Sequence, residues 1–296
     1  MRIAITGSRG LIGSAIAADL AAAGHGIVRM VRGAPRDGEV RWDPAAPCDL
    51  AALDGVDAVI HLAGENVGAG RWTAARKASI RASRVDGTRN LVAGLRQMKR
   101  PPRVLLAASA IGWYGDRGDA PVDETAPAGD SFFGRLVADW EAGLAPARAA
   151  GIRTVAMRFG VVLARGGGAL AKMLPPFRLG LGGPLGPGRQ GMSWIALEDV
   201  VAAVGFLLAA DSVAGPVNLT APGAVTNREF AAALGRVLHR PACLPAPAFA
   251  LRLLLGREMA DELLLSGARV VPARLLAAGF RFACPDLEPA LRRVLR

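Results

Sequence analysis

Short, wholly apolar runs alternate along this chain with longer stretches whose apolar residues recur at helical spacing, and the alternation holds to about residue 165. Ile3, Ala4 and Ile5 read as a buried strand, and residues 26–32, 39–42, 57–64, 104–108 and 154–159 as further strands. Between them, Leu11, Ile12, Ala15, Ile16 and Leu20 mark a first helix. Ile80, Val85, Leu91, Val92 and Leu95 mark a long one over residues 73–98, stopped by Pro101 and Pro102, and residues 132–150 read as another. Strand and helix in alternation predict an α/β fold, a Rossmann-like doubly wound parallel sheet.

The pattern then changes. Glycine-rich residues 166–168 and 180–188 bracket a short amphipathic segment, an excursion suited to closing over a ligand, and residues 193–208 and 216–219 return as helix and strand. From Thr226 the spacing is mostly helical, with Thr226 and Glu229 placed as a capping box before Phe230, Leu234 and Leu238. The predicted organisation is a nucleotide-binding domain over residues 1–165 and 190–222, and a small, mostly helical substrate domain over residues 166–189 and 223–296.

The turn between the first strand and first helix, Gly7-Ser8-Arg9-Gly10-Leu11-Ile12-Gly13, carries the clearest chemistry. A dinucleotide's diphosphate needs exposed N–H groups at a helix N-terminus, and each glycine removes a side chain that would block the turn, the phosphate or helix–sheet contact. The spacing is GxxGxxG rather than the commoner GxGxxG, so the strand–turn–helix context carries the assignment. At the tip of the second strand stands Arg32, with no acid before Asp37. An acid there suits the ribose of NAD and an arginine the extra phosphate of NADP, so NADP(H) is the expected cofactor; an ordinary surface arginine is the alternative.

Composition narrows the partners. The net charge is +11, yet the arginines are scattered without a basic run, and lysine occurs only at 77, 99 and 172; neither nucleic acid nor an anionic membrane is expected. No apolar run is long enough to span a bilayer. Cys48, Cys243 and Cys284 lack disulfide or zinc spacing, and His25, His61 and His239 form no ligand pair, so no metal is expected and a reducing cytoplasm fits. His61, alone inside its strand, reads as a packed core residue before a catalyst. The sequence is silent on oligomeric state.

Six blocks carry a family resemblance: TGSRGLIG at 6–13, HLAGENV with RW and SR within 61–84, SAIGWYGD at 109–116, RFGVVLARGGGAL at 158–170, PFRLGLGGPLGPGRQGMSWI at 176–195 and LLLSGARVVPARLLAAGFRF at 263–282. On these the chain resembles the extended short-chain dehydrogenases/reductases, the NAD(P)-dependent sugar epimerases and dehydratases, over nearly its whole length. The nearest likeness is an atypical epimerase-like branch with a C-terminal domain of undefined function. The resemblance implies a cofactor site at Gly7, Ser8, Arg9, Gly10, Leu11, Ile12, Gly13, Arg32, Leu62, Ala63, Gly64, Glu65, Arg84, Gly160, Val161 and Val162.

The departures bear on catalysis. Such enzymes use a YxxxK pair whose lysine lowers the tyrosine's pKa for proton exchange with substrate. Here Tyr114 is the sole tyrosine, Gly118 stands four residues after it, and the positions four before the lysines are Thr73, Leu95 and Gly168. The expected helix aligns Phe133 and Val137 with the missing pair. The branch's usual histidine is replaced by Ala196, and the catalytic serine falls on Ser109 or, one residue on, on Ala110. Ser109, Tyr114 and Glu65 are the candidate catalytic groups, with Lys77 also near. Two functions follow: an NADP(H)-dependent oxidoreductase or epimerase-like enzyme with a non-standard acid/base, acting on a small carbonyl, hydroxyl or sugar-like substrate over Trp113, Tyr114, Phe177, Met192 and Trp194; or a non-catalytic NADP(H)-binding sensor.

Overall fold

A computed structural model describes residues 1–46 and 50–296; Cys48 lies outside them. The strands of the central sheet are β1 (Arg2–Thr6), β2 (Gly26–Val31), β3 (Glu39–Arg41), β4 (Ala58–His61), β5 (Val104–Ala110), β6 (Arg153–Phe159) and β7 (Gly215–Leu219). They form one parallel sheet in the order β7-β6-β5-β4-β1-β2-β3. The helices used below are α1 (Leu11–Ala22), α2 (Ala74–Arg81), α3 (Gly87–Gln97), α4 (Phe132–Ala142), α5 (Gly168–Arg178), α6 (Leu197–Ala209), α7 (Asn227–Leu238), α8 (Ala248–Leu255), α9 (Arg257–Leu263) and α10 (Leu287–Leu295).

Around β1, β4, β5 and β6 both faces of the sheet are buried, which is why these strands read as apolar runs without alternation. Ile3 and Ile5 point to one face, where they meet Ile16 and Leu20 of α1 and Val200, Val204 and Leu207 of α6. Ala4 points to the other and joins Leu91, Val92 and Leu95 of α3 with Leu105 and Trp42. The chain leaves β1 in one direction through β2 and β3 and resumes on the opposite side at β4, so β1 and β4 flank a topological switch point, where open α/β sheets bind ligands.

Three predicted elements differ in detail. The helix over 73–98 is interrupted by a π-helical turn, Ala82–Asp86, between α2 and α3. The helix over 132–150 stops at Gly143, and a short helix, Ala145–Ala149, follows with Pro146 in its first turn. Residues 194–196 are not helical: Trp194–Ala196 pairs in parallel with Val161–Leu163, and the helix begins at Leu197. Beyond the sheet, Leu170, Leu174 and Phe177 of α5 share a core with Phe230 and Leu234 of α7 and Leu287 and Leu291 of α10. The Thr226–Glu229 capping box is formed.

Candidate functional site

The three glycines of the first turn do three different things. Gly7 has φ +67°, and a Cβ on it would lie 2.8 Å from the Leu62 carbonyl carbon, so it lets the turn cross the end of β4. A Cβ on Gly13 would stand 2.3 Å from Gly7 O, so Gly13 lets the helix pack on the turn. Gly10 is the N-cap of α1, in an extended conformation any residue adopts, and a Cβ there would meet only Gly7 O, at 3.3 Å. No side chain caps the helix at this position, and its first turn holds no acid. An uncapped N-terminus at the switch point is the kind of helix end suited to an anion.

The other cofactor candidates lie in the same turn, after β2, β4 and β6, and on the π-helical turn. Ser8 is buried, and its hydroxyl has no partner. Leu62, Ala63 and Gly64 follow β4, and Leu62 N and Ala63 N donate to Thr6 Oγ1 at 3.1 and 3.2 Å. Gly160 leads from β6 into Val161 and Val162, and a Cβ there would lie 2.8 Å from Ser193 O. Arg32 is exposed just beyond β2. Arg9 is exposed and engaged by Glu39 at 2.8 Å. Arg84 stands on the π-helical turn: it donates to Glu65 O at 2.8 Å, its guanidinium lies over Trp140 at 5.2 Å, and its Nε is buried without a partner. Burial lowers its pKa to about 10, against the pull of Glu65. A cation this desolvated, with no carboxylate bonded to it, is suited to a polar or anionic ligand. The unpartnered Ser8 hydroxyl, the unpartnered Arg84 Nε and the open cap at Gly10 are what a dinucleotide would satisfy, so the residues fit one.

Two of the catalytic candidates, Ser109 and Tyr114, meet in one buried network, and Glu65 lies outside it. Ser109, at the end of β5, donates to Glu141 Oε1 at 2.5 Å. Arg158 of β6 holds the same carboxylate with Nε at 2.8 Å and Nη2 at 2.9 Å, and donates to the Tyr114 hydroxyl at 3.0 Å. Tyr114, fully buried, donates onward to Asn218 Oδ1 at 2.7 Å. Burial pushes the phenol above its usual range despite the opposing charge of Arg158. Burial also works against the Arg158 charge, but the hydrogen bonds and charge of Glu141 outweigh it and raise its pKa. Glu65 is bonded to Arg76 and Ser79, and Lys77 to Glu258.

The other face of β5 is apolar. Ala108 and Ala110 join a cluster of Trp72, Ile80, Val85, Phe133, Leu136, Val137, Trp140 and Met259. Strand alternation therefore sets Ala110, not Ser109, on the side of Phe133 and Val137. The proposed substrate-lining aromatics are divided: Trp113 borders this cluster, while Phe177, Met192 and Trp194 belong to the core beneath α5 and α7. Arg158 and Glu141 are not among the sequence candidates. A lone arginine inside the apolar run of β6 was the available signal.

His61 closes a buried chain behind the site. Thr6 Oγ1 already accepts two backbone N–H groups, so its hydroxyl donates to His61 Nδ1 at 2.8 Å, leaving the ring proton on Nε2 for Thr88 Oγ1 at 3.1 Å. Thr88 also accepts from Trp140 Nε1 at 2.9 Å. Burial lowers the His61 pKa to about 4, so the folded chain keeps it neutral. Between pH 6.5 and about 4 the unfolded chain takes a proton that the folded chain refuses, and stability falls as pH falls. From pH 7 to 5 the expected loss is about 2 kcal/mol. Urea unfolding at the two pH values checks this, and in His61→Gln the difference should shrink by about that amount.

Among the described residues no group of three or more His, Cys, Asp or Glu could hold a metal, and no helix is long and apolar enough to cross a membrane. Residues 3–219 match the NAD dependent epimerase/dehydratase family and residues 246–294 a domain of unknown function, DUF1731. The chain belongs to this epimerase/dehydratase family. It is 47% identical over 291 residues to the epimerase family protein Mb2239 of Mycobacterium bovis, spanning 98% of this chain and 96% of that one. It is 38% identical to the human epimerase family protein SDR39U1 over the full length of both. The crystal structure of human SDR39U1 (isoform 2) with NADPH superposes with a TM-score of 0.91 at 36% identity, covering 100% of this chain and 99% of that one.

Proposed function

We propose that this chain binds NADP(H) at the β1–β4 switch point and holds it as a redox-sensing protein, without the proton transfer of its family's enzymes. The observation that carries the second half is the apolar cluster containing Ala110, Phe133 and Val137, the positions where the family resemblance expects a serine, a tyrosine and a lysine. The bound nicotinamide supplies hydride chemistry; the chain must supply orientation and an acid/base. Ser109 and Tyr114 are bonded into the Arg158–Glu141 network, and Glu65 into Arg76 and Ser79. The cofactor half is supported by the open Gly10 cap, the unpartnered Ser8 and Arg84 atoms, and the NADPH in the human relative's crystal structure.

A second reading, an oxidoreductase or epimerase acting on a small carbonyl, hydroxyl or sugar-like substrate, is favoured by the aromatic wall that Trp72, Phe132 and Phe133 give the same cluster. The free thiols of Cys243 and Cys284 support a reducing, cytoplasmic setting.

Diphosphate binding falls to the N–H groups at the start of α1, and the extra ribose phosphate to Arg32. Arg32→Ala is expected to weaken NADPH by about 1.5–3 kcal/mol, the loss of a charge-assisted contact, and to leave NADH nearly unchanged. Titration calorimetry with both cofactors tests it, and equal losses would contradict the assignment. NADPH oxidation by the native chain, with any carbonyl or nucleotide-sugar substrate in a screen, would favour the enzyme.

A further inference from the structure

The helix pair α8 and α9 is attached to the body in a different way from the segment that follows it. Around Arg269–Val270 the bonds are buried: Ser193 Oγ donates to Ala268 O and accepts from Val270 N, both at 2.8 Å, and Thr220 Oγ1 donates to Val270 O at 3.2 Å. Asn218 Nδ2 adds a bond to Val271 O at 2.9 Å. By contrast α8 buries no residue, and α9 buries only Met259 and Ala260. Gly256 joins the two helices at φ +86°, with open space where a Cβ would stand.

What holds the pair down is a set of partly exposed polar bonds over a small apolar contact, in which Leu255, Met259 and Leu263 meet the cluster of Trp72, Phe133 and Val137. Lys77 Nζ donates to Glu258 Oε1 and Oε2 at 3.0 and 2.8 Å, with the two side chains 30% and 41% exposed. Glu262 accepts from Phe132 N at 3.0 Å and Phe133 N at 2.8 Å, capping α4. Arg71 donates to Leu253 O and Leu254 O. Beneath these bonds Met259, 5% exposed, packs into the cluster with Trp72, Phe133 and Val137.

We infer that α8 and α9 form a hinged lid latched by Lys77–Glu258 and by Glu262 on the start of α4, with Met259 plugging the apolar space over Phe133 and Val137. Closed, the lid fills that space with this chain's own side chain. Open, it uncovers the aromatic wall of Trp72, Phe132 and Phe133. The unit opens at lower free energy than the sheet because few apolar contacts and several solvent-reached bonds restrain it. The inference does not rest on the cofactor assignment, since the latch and the plug are contacts of the chain with itself.

Hydrogen exchange on the full chain tests it, comparing residues 257–263 with β5. The lid should exchange at least about 100-fold faster than β5 in the native protein. Glu262→Gln and Lys77→Ala should each speed residues 257–263 about tenfold further, with β5 unchanged, because each removes a charge-assisted bond. Lys77→Arg should keep most of the protection. Exchange of residues 257–263 at the rate of β5, or a rate unmoved by both disruptive substitutions, would overturn the lid.

Discussion

Arg158→Met is expected to lower folding stability by about 3–5 kcal/mol, because it strands a buried carboxylate. Arg158 is 1% exposed and satisfies both oxygens of Glu141, the hydroxyl of Tyr114, and the face of Trp113, 3.9 Å from its guanidinium carbon. Methionine fills much of the volume and supplies none of the donors. Glu141 then keeps a single bond, from Ser109, in a site its side chain exposes by only 13%. The double variant Arg158→Met/Glu141→Leu should recover part of the loss, since removing both charges removes the uncompensated one; the Ser109 and Tyr114 hydroxyls, left short of partners, keep the recovery incomplete. Guanidinium unfolding of the native, single and double forms reads the effect, and a single-variant loss below about 1 kcal/mol would contradict the account.

The network also explains where the sequence stopped being informative. Strand positions were legible because β1, β4, β5 and β6 are buried on both faces and so had to be apolar runs bounded by turns. The glycine turn was legible because its requirements are local: a positive φ at Gly7 and a close helix at Gly13 leave no other residue type. Facing was not legible. Whether Ser109 or Ala110 looks toward Phe133 depends on the strand's register, and a slip of one residue exchanges the two faces. Tyr114 and Ser109 looked available for chemistry because their partners, Asn218 and Glu141, lie 104 and 32 residues away. Trp194–Ala196 was read as helix for a similar reason: its pairing with Val161–Leu163 is a tertiary contact that overrides an apolar spacing continuous with α6. The lid's latch joins Lys77 to Glu258 across 181 residues, and nothing in either neighbourhood announces the other.

Gly10→Val carries the second large effect, on binding rather than on folding. The backbone at Gly10 is extended, φ −78° and ψ 170°, which valine adopts without strain. Its Cβ would press only on Gly7 O, at 3.3 Å, so the turn has to give by a few tenths of an ångström. Gly13→Ala is the contrasting case, because its Cβ meets backbone at 2.3 Å and the fold itself must shift. The valine side chain is thus expected to occupy the space before the uncapped start of α1, where a diphosphate would take the helix's first N–H groups. The central claim is that this turn is where the chain holds NADP(H), and titration calorimetry of NADPH into native and Gly10→Val protein tests it most directly. The account predicts one site on the native chain and a Kd raised at least about 100-fold in the variant, some 2.7 kcal/mol, with a thermal midpoint close to native in the absence of cofactor. NADPH binding of native affinity to a folded Gly10→Val chain would contradict it.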